Sequence, residues 1–379
     1  MVKAYNCIVV FNKNKDASLF CLRKNDPYKG LYNFVGGKVE PGESSEDAAY
    51  RELEEETGLT RRNNRLYRLM DIRYYHQGFI LEIYVGMLEE DVELKEEKNP
   101  LFWMPMTEDF TDKQRFAGDQ NIAHIMNVAL KYPIPQRSFI QDGLYIGVDG
   151  CKNGWIAAIL DYGTLKMERF ATVQEITEKY PEFDAFLIDM AIGLRDNTTQ
   201  SRPDKAARKE LGIKASTVFP VPSRSAVYAD TEEEQKKANN EALGKSLSKQ
   251  SIAIIPKIRE LDTFLTEHPE YQGRILESHP EVDFKRLNGA VITTRKKEHT
   301  GFMERKNVLS QYLSNGFMSD FYDMAKGLSC KPDDLIDAAC LAVTAAFHAH
   351  GLSETIPEKP DRDSKGFEMK LTVPKNSKG

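Results

Sequence analysis

The sequence of 379 residues lacks the features that identify secreted, zinc-binding and membrane proteins. Its five cysteines are odd in number and include no C-x-x-C pair, which argues against a disulfide framework and a cysteine zinc site. No apolar run approaches the ~18 residues that a membrane-spanning helix needs. A strand-like run begins almost at the N-terminus, so we expect no signal peptide, a cytoplasmic location and no membrane partner.

The chain also lacks excess positive charge and internal repeats. Its formal net charge of -6 argues against strong non-specific binding of nucleic acid, although a local basic groove stays open. The prolines at 133 and 135 break regular structure, and a new strand follows them. We therefore predict a first domain over residues 1–132, a linker over 133–143, a second domain over 144–374 and a tail over 375–379.

What the chain does have is an acidic block between glycines at residues 37–59. The block matches G-x5-E-x7-R-E-U-x-E-E-x-G-U, where U is apolar, at every fixed position: Gly37, Glu43, Arg51, Glu52, Leu53, Glu55, Glu56, Gly58 and Leu59. Ser44 followed by Asp47 is typical of a helix start, and Gly58 lies where that helix would end. Three of the glutamates then share one helix face, and their mutual repulsion predicts a divalent metal such as Mg²⁺.

This pattern closely resembles the signature of the Nudix hydrolases, which cleave nucleoside diphosphates linked to another group. The resemblance implies that Glu52, Glu55 and Glu56 bind Mg²⁺, or Mn²⁺ in its place, with Glu43 supporting them directly or through water. Arg51 would orient a glutamate by ion pairing. Either Glu55 or Glu56 would serve as the general base. A merely solvated acidic helix would not explain the glycines at fixed spacing.

Substrate choice depends on residues outside the block. The stretch 32–39, Tyr-Asn-Phe-Val-Gly-Gly-Lys-Val, is similar to W-N-x-x-G-G-K-V in Nudix enzymes that hydrolyse oxidised purine nucleoside triphosphates, with tyrosine replacing the tryptophan. The similarity implies that Asn33 contacts the purine and that Gly37 and Lys38 belong to the substrate site. Asp119 is a second candidate for a base contact. The alternatives are that Asn33 is a turn residue and that Asp119 is a helix N-cap.

Two other Nudix substrate classes leave different marks in the sequence. ADP-ribose members have a proline some way after the block, and residues 60–99 contain none. Dinucleoside-polyphosphate members have a tyrosine there, and Tyr74 and Tyr75 lie near that place, although tyrosine is common in strands. We expect a hydrolase that converts a purine or oxidised-purine nucleoside triphosphate to a monophosphate and pyrophosphate. Its alternative substrate is a dinucleoside polyphosphate or another nucleoside-diphosphate derivative.

The second half contains acidic residues at the ends of apolar segments. Asp149 lies where a first strand ends, Asp189 lies in a short apolar strand, and Asp334 and Asp337 lie near the start of an apolar helix over 332–346. The landmarks G-V-D-G-C-K-x-G-W, I-D-x-x-I-G-L, H-P-E-V-x-F and D-D-x-x-D-A resemble those of the DUF429 proteins, described as predicted ribonuclease-H-like nucleases. The resemblance spans about 144–374, with a last strand over 366–374.

A ribonuclease-H-like fold brings carboxylates from a first strand, a central strand and a late helix to one point. The resemblance implies that Asp149, Asp189, Asp334 and Asp337 hold two Mg²⁺ ions and act on a phosphodiester of a nucleic-acid partner. Asp149-Gly150 as a turn and Asp334 as a helix cap are the alternatives. For the whole half, the alternative is a non-catalytic module that binds nucleotides or a partner. Homo-oligomer formation stays open.

Basic residues of the second half are scattered rather than clustered. They would either line a phosphate-binding surface or simply be solvated: Arg202, Arg208, Arg224, Lys245 and Lys257.

The predicted fold class is α/β in both halves. In the first, strands at 4–11 and 18–23, a hairpin at 65–75 and 79–88, and a closing helix at 119–130 follow the order of the Nudix α/β/α sandwich. In the second we expect a ribonuclease-H-like α/β domain with a mixed sheet.

Overall fold

The chain divides into two compact units, Met1–Gln136 and Arg137–Gly379. The computed structural model describes residues 3–88, 90–134, 138–313 and 321–375. Residues 135–137 of the predicted linker and 376–379 of the predicted tail lie outside the described residues. Among the helices that are described, none combines the length and the apolar character needed to cross a membrane.

The first unit is built on a mixed six-stranded sheet in the order β3-β2-β1-β5-β4, with β6 added on β2. Strand β1 pairs in parallel with β5, and the other pairs are antiparallel. Its elements in chain order are β1 (Lys3–Phe11), β2 (Ala17–Leu22), β3 (Tyr32–Asn33), α1 (Ser45–Thr57), β4 (Tyr67–Tyr74), β5 (Phe79–Met87), β6 (Leu101–Pro105) and α2 (Asn121–Lys131).

Apolar side chains on both faces of β1 explain why this sheet lies between two helices. Ile8 and Val10 pack with the buried face of α1, while Val9 and Phe11 pack with the buried face of α2. Successive side chains of a strand point to opposite faces, so a strand that is apolar throughout needs cover on both sides. The predicted α/β/α arrangement of the first domain is confirmed.

Helix α1 contains most of the acidic block, and local chemistry fixes its ends. The Ser44 hydroxyl accepts a hydrogen bond from the Asp47 N–H at 3.1 Å and donates to the Asp47 carboxylate at 2.7 Å. These two bonds cap the first turn of the helix. Gly58 ends the helix with a φ of 73°, a left-handed conformation that favours glycine. Leu53 is fully buried, Glu54 and Glu55 are exposed, and Glu52 and Glu56 are half-buried.

The second unit contains a five-stranded mixed sheet in the order β11-β10-β7-β8-β9 and a separate pair, β12-β13. Its elements are β7 (Leu144–Cys151), β8 (Gly154–Asp161), β9 (Thr164–Phe170), α3 (Val173–Lys179), β10 (Ala185–Ile188), α4 (Asp204–Leu211), α5 (Arg224–Val227), α6 (Glu232–Leu243), α7 (Lys249–Glu267), β11 (Ile275–Glu277), α8 (Pro280–Asn288), α9 (His299–Leu309), α10 (Phe321–Gly327), α11 (Pro332–Ala349), β12 (Ser353–Ile356) and β13 (Leu371–Pro374).

Three strands of this sheet run in the same direction, so their carboxyl ends lie along one edge of the sheet. Strands β7, β10 and β11 run parallel, while β7, β8 and β9 form an antiparallel meander. The apolar helix α11 covers one face, and α7 with α3 covers the other. Ligands of open α/β sheets bind at the carboxyl ends of parallel strands. The mixed sheet matches the ribonuclease-H-like fold that the sequence predicts.

Two local expectations for the second unit are wrong. Asp149 and Gly150 do not form a turn, because β7 continues to Cys151 and Asp149 pairs with Ile156 of β8. The turn follows two residues later, where Asn153 takes a φ of 61°. The last strand is also shorter than 366–374, since only Leu371–Pro374 is extended and pairs with β12 outside the main sheet.

Close packing between β7 and α11 gives a stability prediction for Gly147→Ala. A Cβ atom at Gly147 would lie 2.1 Å from the Ala342 nitrogen and 2.2 Å from the Ala338 carbonyl oxygen. Backbone atoms cannot move aside without distorting the fold. We therefore expect the free energy of unfolding of the second unit to fall by about 3 kcal/mol or more. Urea denaturation measures this loss, with Gly327→Ala as control because its added Cβ meets open space. Equal midpoints for the two variants would contradict the packing argument.

Candidate functional sites

The glutamates of the first unit are held together by one arginine. The Arg51 guanidinium bonds both carboxylate oxygens of Glu43, at 2.9 and 3.1 Å, and one oxygen of Glu52 at 2.7 Å. It also lies 3.5 Å from the nearer Glu55 oxygen. Charge-assisted bonds of this kind restrict carboxylate rotation. Arg51 therefore joins the loop glutamate to two helix glutamates at one place.

Two glutamates of the motif, Glu43 and Glu56, have pKa values that are shifted in opposite directions. Hydrogen bonding from Arg51 holds the pKa of Glu43 below its ordinary value. Burial raises the pKa of Glu56, although the Gly36 N–H donates to its carboxylate at 2.9 Å and opposes the rise. A carboxylate with a raised pKa accepts a proton more readily at neutral pH. This property supports Glu56 as the general base.

Gly37 brings the backbone against Glu52. Its N–H donates to the Asn6 side-chain oxygen at 3.1 Å, which fixes the loop on β1. A Cβ atom at this position would lie 2.3 Å from the Glu52 carboxyl carbon. A side chain at this position would displace the Glu52 carboxylate, which Arg51 also holds, so the loop and the helix glutamate form one surface.

The predicted substrate residues lie at different places in the first unit. Asn33 ends β3, and its side-chain oxygen accepts the Phe34 N–H at 3.0 Å. Lys38 pairs with Glu40 at 3.1 Å. Asp119 has a φ of 49° and precedes the N-cap of α2, which is Gln120. The N-cap interpretation of Asp119 is therefore wrong, because the helix begins one residue later than it requires.

A tyrosine of the hairpin has a more specific environment than its sequence position indicates. The Tyr74 ring stacks on Phe79 with centroids 4.5 Å apart, and its hydroxyl oxygen accepts a hydrogen bond from the Asn121 amide at 2.5 Å. Tyr75 is 89% exposed. Only Tyr74 is thus fixed by neighbours on both sides.

In the second unit, three of the four predicted aspartates line one cavity of about 400 Å³. Asp149 comes from β7, Asp189 follows β10 directly, and Asp337 comes from the second turn of α11. Glu281 and His279 also line this cavity, which we call the acidic cavity. It lies at the carboxyl ends of the parallel strands, where the fold places ligands.

The acidic cavity concentrates negative charge in a buried place. Burial raises the pKa of Asp149 well above its ordinary value, and the charges of Asp189 and Asp337 raise it further. Burial raises the pKa of Asp337 to about 6, while the Lys296 ammonium opposes the rise. Asp337 is 1% exposed, and its Oδ1 atom accepts no hydrogen bond from the described residues. The cavity therefore has a buried acceptor atom for which the described residues supply no hydrogen-bond donor.

The remaining predicted residues of the second unit have structural partners. Asp334 does not line the acidic cavity, and its carboxylate accepts the Lys331 N–H at 3.2 Å at the start of α11. Arg202 forms a buried ion pair with Glu277, and Arg224 pairs with Asp262 at 2.8 Å. These arginines are inside the unit and are not part of a phosphate-binding surface.

The other basic residues of that expectation differ from one another. Arg208 donates to the Val218 carbonyl at 2.6 Å. Lys257 does line the acidic cavity, and its aliphatic stem lies 3.0 Å from the place of a Cβ at Gly150. Lys245 is exposed and does not line it.

One basic residue of the cavity was not predicted from the sequence. Lys296 lies in the segment between α8 and α9, lines the acidic cavity and forms an ion pair with Asp337. Burial lowers the pKa of Lys296, but the charges of Asp337 and Asp149 outweigh it and raise the pKa above its ordinary value. The run Arg295-Lys296-Lys297 was a usable signal, since three adjacent basic residues favour an anion or an acidic site.

Neither the glutamates of the first unit nor the aspartates of the acidic cavity form a complete metal-binding site. Within the ranges that the structure describes, no three His, Cys, Asp or Glu side chains are placed to hold an ion together. Arg51 and Lys296 contact carboxylates of the two sets instead. The donors are nevertheless carboxylate oxygens, which suit hard divalent cations, and the unpartnered Asp337 oxygen fits a metal ligand.

Comparison with known proteins divides the chain in the same way. Residues 2–124 match the model of the NUDIX domain, and residues 147–362 match that of "Protein of unknown function (DUF429)". A 41-residue segment is 54% identical to an ADP-ribose pyrophosphatase of Methanocaldococcus jannaschii, which is 11% of this chain and 24% of that protein. A further match, to a putative 8-oxo-dGTP diphosphatase of Bacillus subtilis, is 30% identical over 89 residues, or 23% and 56% of the two chains.

The matches to whole proteins are therefore partial. The chain spans less than two thirds of both of these curated relatives. Among solved structures, MutT in a study of Aliivibrio salmonicida and Vibrio cholerae is 23% identical, with a TM-score of 0.27 over 34% of this chain and 98% of that one. The chain belongs to the DUF429 family and has a NUDIX domain in front of its DUF429 region.

Proposed function

We propose that the first unit hydrolyses a purine nucleoside triphosphate to a monophosphate and pyrophosphate. The observation that supports this most is the Arg51 guanidinium, which bonds Glu43 and Glu52 beside the close approach of Gly37. These contacts assemble the acidic block into one surface of oxygen donors. Bound Mg²⁺ would polarise a phosphoryl oxygen and help to activate a water.

The residues of the chain have separate roles in this reaction. Arg51 fixes the carboxylate of Glu52 and so sets the geometry of the metal-binding surface. Glu52 and Glu55 would hold the metal in this reaction, with Glu43 in support, and Glu56, which the resemblance also offers as a ligand, would be left to accept the proton. We assign the general base to Glu56, because burial raises its pKa and keeps it a better proton acceptor than an exposed carboxylate. The Gly36 N–H holds that carboxylate in place.

The purine assignment rests on Asn33 and is supported by one relative. An asparagine amide can bond the edge of a purine with both its donor and its acceptor. One match is named a putative 8-oxo-dGTP diphosphatase, whereas the other is named an ADP-ribose pyrophosphatase. The substrate panel must therefore include ADP-ribose and a dinucleoside polyphosphate beside normal and oxidised nucleoside triphosphates.

Replacing Asn33 by Ala tests base recognition. We expect kcat/KM for the preferred purine triphosphate to fall about tenfold, because one bidentate contact is worth roughly 1–3 kcal/mol. Pyrimidine triphosphates, hydrolysed by the same variant, are the internal control and should change little. Pyrophosphate release in Mg²⁺ measures both. A uniform loss across all bases would show that Asn33 supports the loop and does not read the base.

For the second unit we propose metal-dependent hydrolysis of a phosphodiester. The supporting observation is the buried, unpartnered Asp337 oxygen in a cavity shared with Asp149 and Asp189. A module that only binds nucleotides has no need to bury three like charges at this cost. Bound divalent ions would stabilise the attacking and leaving oxygens of the phosphodiester. In the absence of metal, Lys296 neutralises part of the charge through its pair with Asp337.

A further inference from the structure

The acidic cavity has a second wall of different chemistry. Besides its carboxylates, the acidic cavity is lined by apolar side chains from three segments of the chain: Met190, Ala191, Val218, Phe219, Val221 and Ile254. Met190, Val218 and Val221 are buried, whereas Phe219 is 41% exposed. The site proposed for phosphodiester hydrolysis uses none of these side chains. The apolar wall therefore needs a different partner from the phosphate.

Phe219 is the most informative member of this wall. It follows a short 3-10 turn at Gly212–Thr217 and presents an exposed aromatic ring beside a polar cavity. On α7, Ile254 and Lys257 also line the cavity and lie three residues apart, so they share one helix face. An exposed ring in a cavity that an aliphatic side chain and a cation also line is suited to the flat face and edge of a nucleobase.

A second cavity adjoins the first through one residue. Lys296 lines the acidic cavity and also a cavity of about 270 Å³ that Lys297, Phe302, Lys331, Pro332 and Asp333 line. Three of these six side chains are lysines, and the cavity lies at the N-terminal end of the 18-residue helix α11. The positive end of a helix dipole adds to the lysine charges there. Asp333 is the one acidic side chain in that lining. This second cavity, which we call the lysine cavity, therefore favours an anion at a place next to the acidic cavity.

We propose that the acidic cavity takes one unstacked nucleotide of a single-stranded nucleic acid. The base would lie against Phe219, the phosphate to be cleaved would lie at the aspartates, and the next phosphate would lie at the lysine cavity. A cavity of about 400 Å³ is of the size that holds one small ligand, and a base within a duplex stays stacked away from such a wall. This inference rests on the hydrolysis proposed for the second unit.

Binding tests the inference without requiring catalysis. Fluorescence anisotropy of the full chain is measured with a labelled single strand and its duplex, each as DNA and as RNA, in Ca²⁺ buffer, with gels confirming intact strands. We expect the single strand to bind at least tenfold more tightly than the duplex. Phe219→Ala should weaken that binding about tenfold, the size of one lost base stack. Ile213→Ala is the matched control, since Ile213 is 79% exposed and does not line the cavity.

The lysine cavity is tested by salt dependence. Replacing Lys297 and Lys331 together by Ala should flatten the slope of log Kd against log salt by about 1.4, because each lost phosphate contact contributes about 0.7 on single strands. Lys237→Ala, an exposed lysine outside both cavities, should leave the slope unchanged. Equal affinity for strand and duplex would overturn the inference. So would a Phe219→Ala variant that binds like Ile213→Ala, or an unchanged slope.

Cleavage separates this inference from the activity on which it rests. Mn²⁺-dependent cutting of duplex and single strand at equal rates would leave the hydrolysis intact and reject the single-strand assignment. Selective binding of the single strand without any cutting would reject the hydrolysis and leave the binding assignment intact. Comparison of the DNA and RNA strands then identifies which nucleic acid the cavity prefers.

Discussion

Glu56→Gln should lower the rate of pyrophosphate release by about a thousandfold, equivalent to about 4 kcal/mol of transition-state stabilisation. Glutamine keeps the size of the side chain and can still accept the Gly36 N–H, so the fold of the loop is preserved. It removes the negative charge for the metal and the site that accepts the proton. Steady-state pyrophosphate release in Mg²⁺ measures this effect.

The same substitution has an expected effect on stability with a definite sign. Because burial raises the pKa of Glu56, the folded chain binds this proton more tightly than the unfolded chain does. The cost of the ionised carboxylate therefore grows as the pH rises from the ordinary pKa through the raised one, and above the raised pKa it is fully present. Glu56→Gln should accordingly be as stable as wild type, or more stable, at neutral pH, and this advantage should shrink as the pH falls.

The matched control is Glu54→Gln, which changes an exposed glutamate of the same helix outside the motif. It should retain nearly the full rate. If Glu54→Gln and Glu56→Gln lose activity equally, the charge of α1 as a whole matters and no single base exists on it. If Glu56→Gln is inactive only because it unfolds, circular dichroism will show the loss of α1.

The acidic block could be predicted from the sequence because its geometry is local. Helical spacing alone places the three glutamates on neighbouring positions, and the caps at Ser44 and Gly58 depend on residues within the same helix. The link from Arg51 to Glu43 spans eight residues and follows from the motif. What the motif does not contain is the tertiary environment, which supplies the Gly36 N–H to the Glu56 carboxylate and partly buries it.

In the second unit, the sequence predicted only part of the set of acidic residues that line the cavity. Asp149 and Asp189 were identifiable because each lies at or just after the end of an apolar strand, and parallel strands end at a common edge. Asp334 and Asp337 are equally acidic and three residues apart, yet only Asp337 lines the cavity. That difference depends on how α11 is rotated against the sheet, which a contact such as Gly147 on Ala342 sets.

Contacts between residues that are far apart in the sequence could not be predicted from it. Arg202 is buried against Glu277, 75 residues away, so its charge is used inside the unit although its sequence context is polar. Lys296 meets Asp337 from 41 residues away. Phe219 lies in an irregular segment without periodicity, and its place in the cavity lining depends on tertiary packing. Such pairs are fixed by tertiary packing, and propensity or spacing does not report them.

Asp149→Asn should reduce metal-dependent phosphodiester cleavage by the second unit about a thousandfold or more, because it removes one carboxylate of the proposed metal site. The assay uses Mn²⁺ or Mg²⁺ with a labelled oligonucleotide. Asp230→Asn, the same change at an exposed aspartate outside the cavity, is the control and should cut like wild type. Undiminished cutting by Asp149→Asn would place the chemistry elsewhere.

Stability gives this variant a second and independent signature. The pKa of Asp149 is raised by burial and by Asp189 and Asp337, so the folded chain holds its proton more tightly than the unfolded chain. Stability from this group is therefore greatest at low pH and declines as pH rises from the ordinary value through the raised one. In EDTA at pH 7.5, Asp149→Asn should melt at the same temperature as wild type or higher, with the difference shrinking toward pH 4.

Added metal should reverse that order. A divalent ion that binds only the folded state raises the melting temperature of wild type, and above Kd the stabilisation grows with the logarithm of the ion concentration. The ion also relieves the repulsion among the aspartates. Asp149→Asn should lose most of this metal-dependent rise while keeping its advantage in EDTA. A variant that is less stable than wild type without metal would instead show that Asp149 acts chiefly as a structural acceptor of the Gly150 N–H, at 2.7 Å, and not as a carboxylate placed for a cation.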